Sequence, residues 1–194
     1  MIDSQTTEPN FGVQLGVIPF DRSYWVVPGR LLAGFYPSSA HPHEATEKLH
    51  RLLAVGVQHV VNLTEPIEKN WNGQPLTDYA PELEALAAQQ RRPITCCRLP
   101  IPDAHVPTLE FMQTILNRID QAIGNRQTVY VHCWGGRGRT ALVVGCFLVR
   151  HGMATGDNVL QMIRYLRRTD AKADAEAPET HVQKEFVRRW GFGQ

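Results

Sequence analysis

The stretch TVYVHCWGGRGRTALVVGCFLV, residues 128–149, changes character twice along its length. It begins with β-branched and aromatic residues, which favour a strand, and continues into a glycine-rich segment, which favours a loop. It ends in an apolar run. We therefore predict a strand over Thr128–His132, a loop as far as Gly138, and a helix over Arg139–Arg150.

Strands and helices alternate along the rest of the chain. The predicted strands are residues 24–27, 31–33, 57–63 and 94–99, and the predicted helices are residues 43–55, 81–90, 109–123, 159–168 and 182–190. This alternation predicts an α/β fold with a central, mostly parallel sheet flanked by helices. In such sheets ligands bind beyond the carboxyl ends of the strands, and Cys133 follows one of those ends.

The length of 194 residues predicts one domain. Two prolines and two glycines interrupt residues 1–22, so we expect a loosely structured N-terminal extension there. Residues 23–194 are predicted to form the single domain. Residues 64–80 read as a long loop, and loops of that length in a compact domain are often functional.

The overall charge of the chain does not favour nucleic acid or a membrane as an electrostatic partner. The chain has 20 Lys and Arg against 19 Asp and Glu, a net charge of +1, which indicates neither nucleic acid nor a membrane surface. The apolar run Ala141–Val149 is too short for a membrane-spanning helix, which needs about 20 residues. The N-terminal MIDSQTTEPN lacks the basic and apolar regions of a signal peptide, so we expect a cytoplasmic protein without stable membrane insertion.

The four cysteines form no CxxC pair and no regular framework, which argues against a zinc site or a disulfide scaffold. Cys96, Cys97 and Cys146 are interpreted as buried core thiols. The histidines show no ligand spacing with carboxylates. We therefore predict no metal and no cofactor.

The glycine-rich loop predicts a site for a phosphate-sized anion. Glycines let successive backbone N–H groups face one point, and the following helix adds its N-terminal dipole. The guanidinium of Arg139 adds a bidentate fork for a tetrahedral oxyanion. The predicted phosphate-binding residues are Trp134, Gly135, Gly136, Arg137, Gly138 and Arg139.

The same electrostatic field acts on Cys133. A helix N-terminus and a nearby cation favour the thiolate form of a cysteine, which is the nucleophilic form. We expect Cys133 to attack phosphorus and the hydroxyl of Thr140 to hydrogen-bond the sulfur. We expect His132 to hold the shape of the loop through hydrogen bonds of its ring.

The segment HCWGGRGRT resembles the His-Cys-(x)5-Arg-Ser/Thr signature of the cysteine-dependent dual-specificity and tyrosine protein phosphatases. The resemblance is greatest to the compact branch that includes the kinase-associated phosphatase and its bacterial relatives. WVVPGRLLAGFYPSS, VGVQHVVNLTEP and APETHVQKEFVRRW also resemble segments of these domains. The resemblance implies hydrolysis of phosphotyrosine in proteins, and of phosphoserine or phosphothreonine, through a phosphocysteine intermediate.

Such a reaction needs a proton for the leaving oxygen. In the resembled family an aspartate on a loop upstream of the cysteine supplies it, and LPIPDAHVPT places Asp103 in the corresponding region. Asp103 is therefore predicted to be the general acid. A buried guanidinium needs a partner, and Glu65 is predicted to pair with Arg139.

Some side chains have simpler interpretations. Gln183 lies where some members of the resembled family have a water-orienting glutamine, but a helix-surface position is favoured for it. Trp71 and Tyr79 either shape the pocket wall or anchor the 64–80 loop. A solvated helix face is predicted for the arginines at positions 164, 167, 168, 188 and 189.

Three alternative functions stay open. Arg137 keeps one of the two basic positions found in the superfamily's phosphoinositide phosphatase, so a lipid phosphate or another anionic small molecule is an alternative substrate. A rhodanese-like sulfurtransferase also uses a thiolate in an anion-binding loop, but it does not need Asp103. A phosphate-binding module without catalysis is the third, and the physiological substrate is not revealed.

Overall fold

The computed structural model describes residues 16–194, which are organised around a five-stranded sheet. The strands are β1 (Ser23–Val27), β2 (Leu31–Gly34), β3 (Val57–Asn62), β4 (Thr95–Arg98) and β5 (Thr128–His132). They lie in the order β1-β2-β5-β3-β4. β1 pairs antiparallel with β2, and the other neighbouring strands are parallel. The predicted α/β fold with a mostly parallel sheet is confirmed.

Helices cover both faces of the sheet. They are α1 (Pro42–Ala54), α2 (Ala80–Gln89), α3 (Leu109–Gly124), α4 (Arg139–Arg150), α5 (Val159–Leu166) and α6 (His181–Arg188). Side chains alternate along a strand, so β5 directs Tyr130 to one face and Val129 and Val131 to the other. The helices α1 and α2 pack on the Tyr130 side, and α3 to α6 pack on the opposite side.

Helix α4 is the central helix of the larger core. Every residue from Arg139 to Val149 is buried, as expected for a helix that is apolar on all sides. A Cβ atom at Gly145 would lie 2.5 Å from Val187 Cγ1, so this glycine allows α6 to pack closely against α4. Within residues 16–194, no helix is long and apolar enough to cross a membrane.

The parallel register brings four strand ends to one edge of the sheet. Gly34 of β2 aligns with His132 of β5, His132 with Asn62 of β3, and Asn62 with Arg98 of β4. The chain segments that follow these residues therefore leave the sheet side by side. One of them is the glycine-rich loop, and another carries Asp103.

Part of the predicted N-terminal extension packs against the domain. Phe20 is buried, and its ring meets the rings of Phe35 and Tyr130 edge-on at centroid distances of 5.5 and 6.0 Å. The indole nitrogen of Trp25 donates to the carbonyl of Val17 at 3.0 Å. Residues 1–15, which also belong to the predicted extension, lie outside the described residues.

The prediction of a solvated arginine face is wrong for Arg167. Only 1% of its side chain is exposed, and its Nη2 lies 3.1 Å from Asp170 Oδ2. Its guanidinium also donates to the carbonyls of Lys172 and Ala175, each at 3.0 Å. The chain after α5 turns around this guanidinium, and a helical pattern alone does not show such a turn.

Replacing Arg167 with methionine should destabilise the fold strongly, because it leaves Asp170 buried without its counter-charge. We expect the free energy of unfolding to fall by about 3–5 kcal/mol. Urea unfolding would measure it, with Arg164→Met as the control because Arg164 is exposed on α5, the helix that Arg167 caps. Equal stabilities of the two variants would contradict a role for this ion pair.

Candidate active site

The glycine-rich loop connects β5 to α4 and encloses the sulfur of Cys133. Cys133 is only 2% exposed, and the backbone N–H of Gly136 donates to its sulfur at 3.2 Å. Gly138 is the N-cap residue of α4 and provides no side-chain cap. The first N–H groups of α4 therefore have no side-chain acceptor at the cap, which suits the binding of an anion.

The conformation of the loop requires glycine at position 136. Gly136 has a φ of +73°, a region that side-chain-bearing residues rarely adopt. A Cβ atom there would also lie 2.9 Å from the carbonyl carbon of Gly34. The loop therefore packs directly on the backbone after β2, and that contact sets where the N–H of Gly136 points.

Thr140 contacts the backbone of Cys133, and no hydrogen bond joins its hydroxyl to the Cys133 sulfur in the described residues. Its hydroxyl accepts from the N–H of Cys133 at 2.8 Å and donates to the carbonyl of Gly34 at 3.2 Å. A hydroxyl has one proton, and here the carbonyl takes it. The structure thus differs from the expected Thr140–sulfur bond and places Thr140 as a link between the loop and β2.

Arg139 is the first residue of α4, and 1% of its side chain is exposed. Its Nη1 and Nη2 donate to the two carboxylate oxygens of Glu68, each at 2.6 Å, and Nη1 also donates to the carbonyl of Ile101 at 3.2 Å. Its Nε is buried and has no protein partner. Burial lowers the pKa of Arg139, but the bond to Glu68 and the nearby acidic groups together raise that pKa by more than burial lowers it. The net effect is a raised pKa, so the guanidinium stays charged.

The predicted partner of Arg139, Glu65, is wrong, because Glu68 takes that role. The backbone N–H of Glu65 donates to Glu68 Oε2 at 3.1 Å, and its carbonyl accepts from Arg98 Nη1 at 3.2 Å. Both acids belong to the 64–80 loop, whose path decides which carboxylate reaches the guanidinium. The sequence contains no local signal that separates the two.

Asp103 lies on the loop after β4, directly beside the fork. Its Oδ1 is 3.0 Å from Arg139 Nη2, and its side chain is 69% exposed. Asp103, Cys133 and the glycine-rich loop line the same cleft. The carboxyl group can therefore reach both the guanidinium and the solvent side of the cleft.

Helix α6 holds the loop that carries Asp103. Thr180 Oγ1 donates to the carbonyl of Ala104 at 3.3 Å, and Gln183 Nε2 donates to the carbonyl of His105 at 3.1 Å. Gln183 also completes a capping box with Thr180. The predicted surface position of Gln183 is wrong, because the residue is fully buried between α6 and these loops.

His132 is buried and lies under the loop in a defined tautomer. The carbonyl of Cys133 can only accept, so Nδ1 carries the proton and donates to it at 3.0 Å. Nε2 therefore accepts from the hydroxyl of Tyr79 at 2.6 Å. Burial lowers the pKa of His132 from 6.5 to about 3, more than the bond to Cys133 raises it. The ring is therefore neutral near pH 7.

The cleft above Cys133 has a volume of about 610 Å³ and two kinds of wall. Trp134 of the loop and Trp71 of the 64–80 segment form an aromatic wall, with ring centroids 4.8 Å apart. Arg137 and Glu179, which form an ion pair, line another part of the cleft. The predicted phosphate-binding residues, hereafter the phosphate cradle, thus contribute in two ways. Gly136 contributes a backbone donor, and the side chains of Trp134 and Arg137 shape the rim of the cleft.

The remaining cysteines lie away from the cleft. Cys146 is buried in α4 as predicted, whereas Cys96 and Cys97 on β4 are half-buried rather than fully buried. Burial raises the pKa of Cys96 to about 12 and also raises that of Cys97, so both favour the neutral thiol. In residues 16–194 no group of three or more His, Cys, Asp or Glu side chains is arranged to hold a metal ion.

Comparison with known proteins gives a consistent family. Residues 21–184 match the family model PTP-SAK, described as the DSP-PTPase phosphatase domain of a Swiss Army Knife protein. A protein of Invertebrate iridescent virus 3 named as a tyrosine phosphatase, 067L, is 26% identical over 183 residues. That alignment covers 89% of this chain and 66% of the viral protein.

A second relative matches only part of the chain. It is the Arabidopsis thaliana phosphatidylinositol 3,4,5-trisphosphate 3-phosphatase and protein-tyrosine-phosphatase PTEN1, 32% identical over 95 residues. The alignment covers 48% of this chain and 22% of PTEN1. Among solved structures, Tk-PTP in its active form has the same fold, with a TM-score of 0.63 and 23% identity over 87% of this chain and 95% of Tk-PTP.

Removing the carboxylate of Glu68 should impair the site more than removing that of Glu65. Glu68→Gln loses the bidentate contact, so the Arg139 fork is free to turn away from the loop. We expect kcat/KM for a small aryl phosphate to fall by about 10- to 100-fold. Glu65→Gln keeps the backbone contacts and should leave kcat/KM near the wild-type value; the reverse order would contradict the assignment.

Acid should destabilise the fold through His132. The folded ring stays neutral down to about pH 3, whereas the ring in the unfolded chain takes up a proton below about pH 6.5. The free energy of unfolding should therefore decrease as the pH falls from 6.5 towards 3, by at most about 1.4 kcal/mol per pH unit. Above pH 6.5 this residue adds no further dependence.

Urea unfolding of the wild type and His132→Asn, between about pH 7 and about pH 5, measures this contribution. The variant should lose less stability on acidification, because it has no ring to protonate in the unfolded state. Parallel stability curves for the two proteins would show that His132 is not the source.

Proposed function

The chain belongs to the DSP-PTPase phosphatase domain family, and on that premise we propose that it hydrolyses phosphotyrosine in proteins through a phosphocysteine intermediate. Phosphoserine and phosphothreonine are further substrates under this proposal. Cys133 is the nucleophile, Arg139 and the loop backbone hold the phosphoryl group, and Asp103 is the general acid. No metal or cofactor takes part in the proposed reaction.

The observation that carries the proposal is the coordination of Arg139. Glu68 binds Nη1 and Nη2 of Arg139. The Nε of Arg139, at the N-terminus of α4, is buried without a protein partner. A buried donor without a partner is costly, and a phosphoryl oxygen would satisfy it. Asp103 Oδ1 lies 3.0 Å from Nη2 of the same guanidinium. Cys133 and Asp103 thus line one cleft, and the buried guanidinium of Arg139 contacts Asp103.

In the first step the thiolate of Cys133 attacks phosphorus. The bond between phosphorus and the leaving oxygen breaks, and protonated Asp103 donates its proton to that oxygen. The three other phosphoryl oxygens receive hydrogen bonds from the loop N–H groups and from Arg139. These donors are already in place before the reaction, so stabilising the transition state requires little rearrangement.

In the second step water attacks the phosphorus of the phosphocysteine. Asp103, now a carboxylate, accepts a proton from that water. The bond between phosphorus and sulfur breaks, which releases inorganic phosphate and restores the thiolate. The N–H of Gly136, 3.2 Å from the sulfur, stabilises the thiolate as it leaves.

Two features support a protein substrate over a polyanionic lipid headgroup. Arg137 is paired with Glu179 at the rim, so its charge is already compensated where further phosphates of a lipid would lie. The aromatic wall formed by Trp71 and Trp134 suits an aryl phosphate. The name of the viral relative, which aligns with most of this chain, also refers to tyrosine phosphatase activity.

A lipid or other anionic small-molecule phosphate is the second candidate. Besides the paired Arg137, Arg22 and Lys172 line the cleft and supply positive charge to it. The name of the Arabidopsis relative includes both lipid and protein substrates. The ratio of turnover on a phosphotyrosine peptide to turnover on a phosphoinositide in mixed micelles separates these candidates.

Hydrolysis of a small aryl phosphate in EDTA tests the reaction itself. We expect metal-independent turnover that vanishes in Cys133→Ser, falls by about 100- to 10,000-fold in Asp103→Asn, and stops with vanadate. Asp78→Asn is a matched control, because Asp78 is an exposed acid that does not line the cleft. Thiosulfate-to-cyanide transfer without phosphate hydrolysis would favour the sulfurtransferase, and a folded protein without either activity would favour a binding module.

A further inference from the structure

Trp71 is a large aromatic side chain that the fold leaves in solvent. It is 86% exposed, although a side chain of this size and hydrophobicity is usually mostly buried. Its ring contacts the ring of Trp134, and both residues line the cleft that contains Cys133. An exposed aromatic group at the mouth of a reactive cleft indicates a surface that a ligand covers.

The segment that carries Trp71 is a compact turn with its own hydrogen bonds. Asn70 Oδ1 accepts from the N–H groups of Asn72 and Gln74 at 2.9 and 3.0 Å. The N–H of Asn70 donates to the carbonyl of Gln74 at 2.8 Å, and the N–H of Gly73 donates to the carbonyl of Asn70 at 2.9 Å. The position of the Trp71 backbone is therefore defined by local bonds.

The base of this turn is attached to the catalytic fork. Glu68 binds Arg139 with its carboxylate, and its carbonyl accepts from the N–H of Leu76 at 2.9 Å. Farther along, the hydroxyl of Tyr36 donates to the carbonyl of Thr77 at 2.8 Å. Both ends of the turn are thus held beside the phosphate cradle, which keeps Trp71 at a set distance from the site of reaction.

We propose that Trp71 is a specificity-determining residue, whose ring packs against the aromatic ring of a phosphotyrosine held in the cradle. This inference rests on the proposed function and assigns a source of its substrate preference. An aryl phosphate gains an aromatic contact with Trp71, whereas phosphothreonine presents no ring to it. The preference for aryl over alkyl phosphates therefore depends on a residue outside the glycine-rich loop.

Ile67 provides a matched control in the same loop. It is 85% exposed and apolar, but it does not line the cleft. A general effect of exposed apolar surface, such as attachment to a membrane or to a partner protein, would involve both residues. A wall for the substrate ring would involve Trp71 alone.

The experiment compares Trp71→Ala, Trp71→Phe and Ile67→Ala on one peptide carrying either phosphotyrosine or phosphothreonine. We expect Trp71→Ala to lower kcat/KM for the phosphotyrosine peptide by about 10-fold, mainly through a higher KM, because the lost contact is one aromatic pair. The phosphothreonine value should change by less than about 2-fold. Trp71→Phe should keep most of the preference, and Ile67→Ala should keep all of it.

A binding measurement makes the test independent of turnover. Cys133→Ser should bind the phosphotyrosine peptide about 10-fold more tightly than Cys133→Ser with Trp71→Ala. Equal affinities, or equal losses on both peptides, would overturn the assignment of Trp71. Binding of the same variants to phospholipid vesicles is measured alongside. If Ile67→Ala and Trp71→Ala weaken vesicle binding equally, the exposed residues form a membrane surface and the assignment of Trp71 is overturned. Absence of turnover by the wild type, with the affinity difference of about 10-fold retained, would contradict the proposed hydrolysis but support the contact between Trp71 and the phosphotyrosine ring.

Discussion

The bidentate contact between Arg139 and Glu68 is the interaction on which the candidate site depends. Arg139 begins the most buried helix of the domain, and its charge would be prohibitive there without a counter-charge. Glu68 supplies that counter-charge and also orients the guanidinium, because two parallel bonds leave the group little freedom to rotate. The Nε is left as a buried donor without a protein acceptor.

The same guanidinium connects the three loops that meet at the edge of the sheet. The glycine-rich loop leads into it, the 64–80 loop binds it through Glu68, and the loop after β4 places Asp103 3.0 Å from Nη2. A phosphoryl group bound to the guanidinium of Arg139 would therefore lie close to the carboxylate of Asp103. Helix α6 limits how far Asp103 can move, since Thr180 and Gln183 bind the two carbonyls that follow it.

Two kinds of contact form the candidate site: backbone contacts around Cys133, and side chains at the rim of the cleft. Backbone contacts fix the loop around Cys133, and neutral His132 supports it from below without contributing a charge. The rim consists of side chains, namely Trp71 of the 64–80 loop, Arg137 of the glycine-rich loop and Glu179, which pairs with Arg137. Under the proposed function, the loop backbone binds the phosphoryl group and these rim side chains contact the rest of the substrate.

The order of strands and helices and the glycine-rich loop before α4 could be read from the amino-acid sequence, because both depend on local patterns. Alternating strands and helices specify a parallel sheet, and Cys133, the glycines and Arg139 lie within one short loop. Only the tertiary structure decided which acid partners Arg139, that Gln183 and Arg167 are buried, and that the Thr140 hydroxyl bonds to the carbonyl of Gly34 at the end of β2. These contacts join residues whose proximity depends on loop paths and helix packing. No local periodicity encodes such distances, so Glu65 and Glu68 are equivalent in the sequence and become different only in the fold.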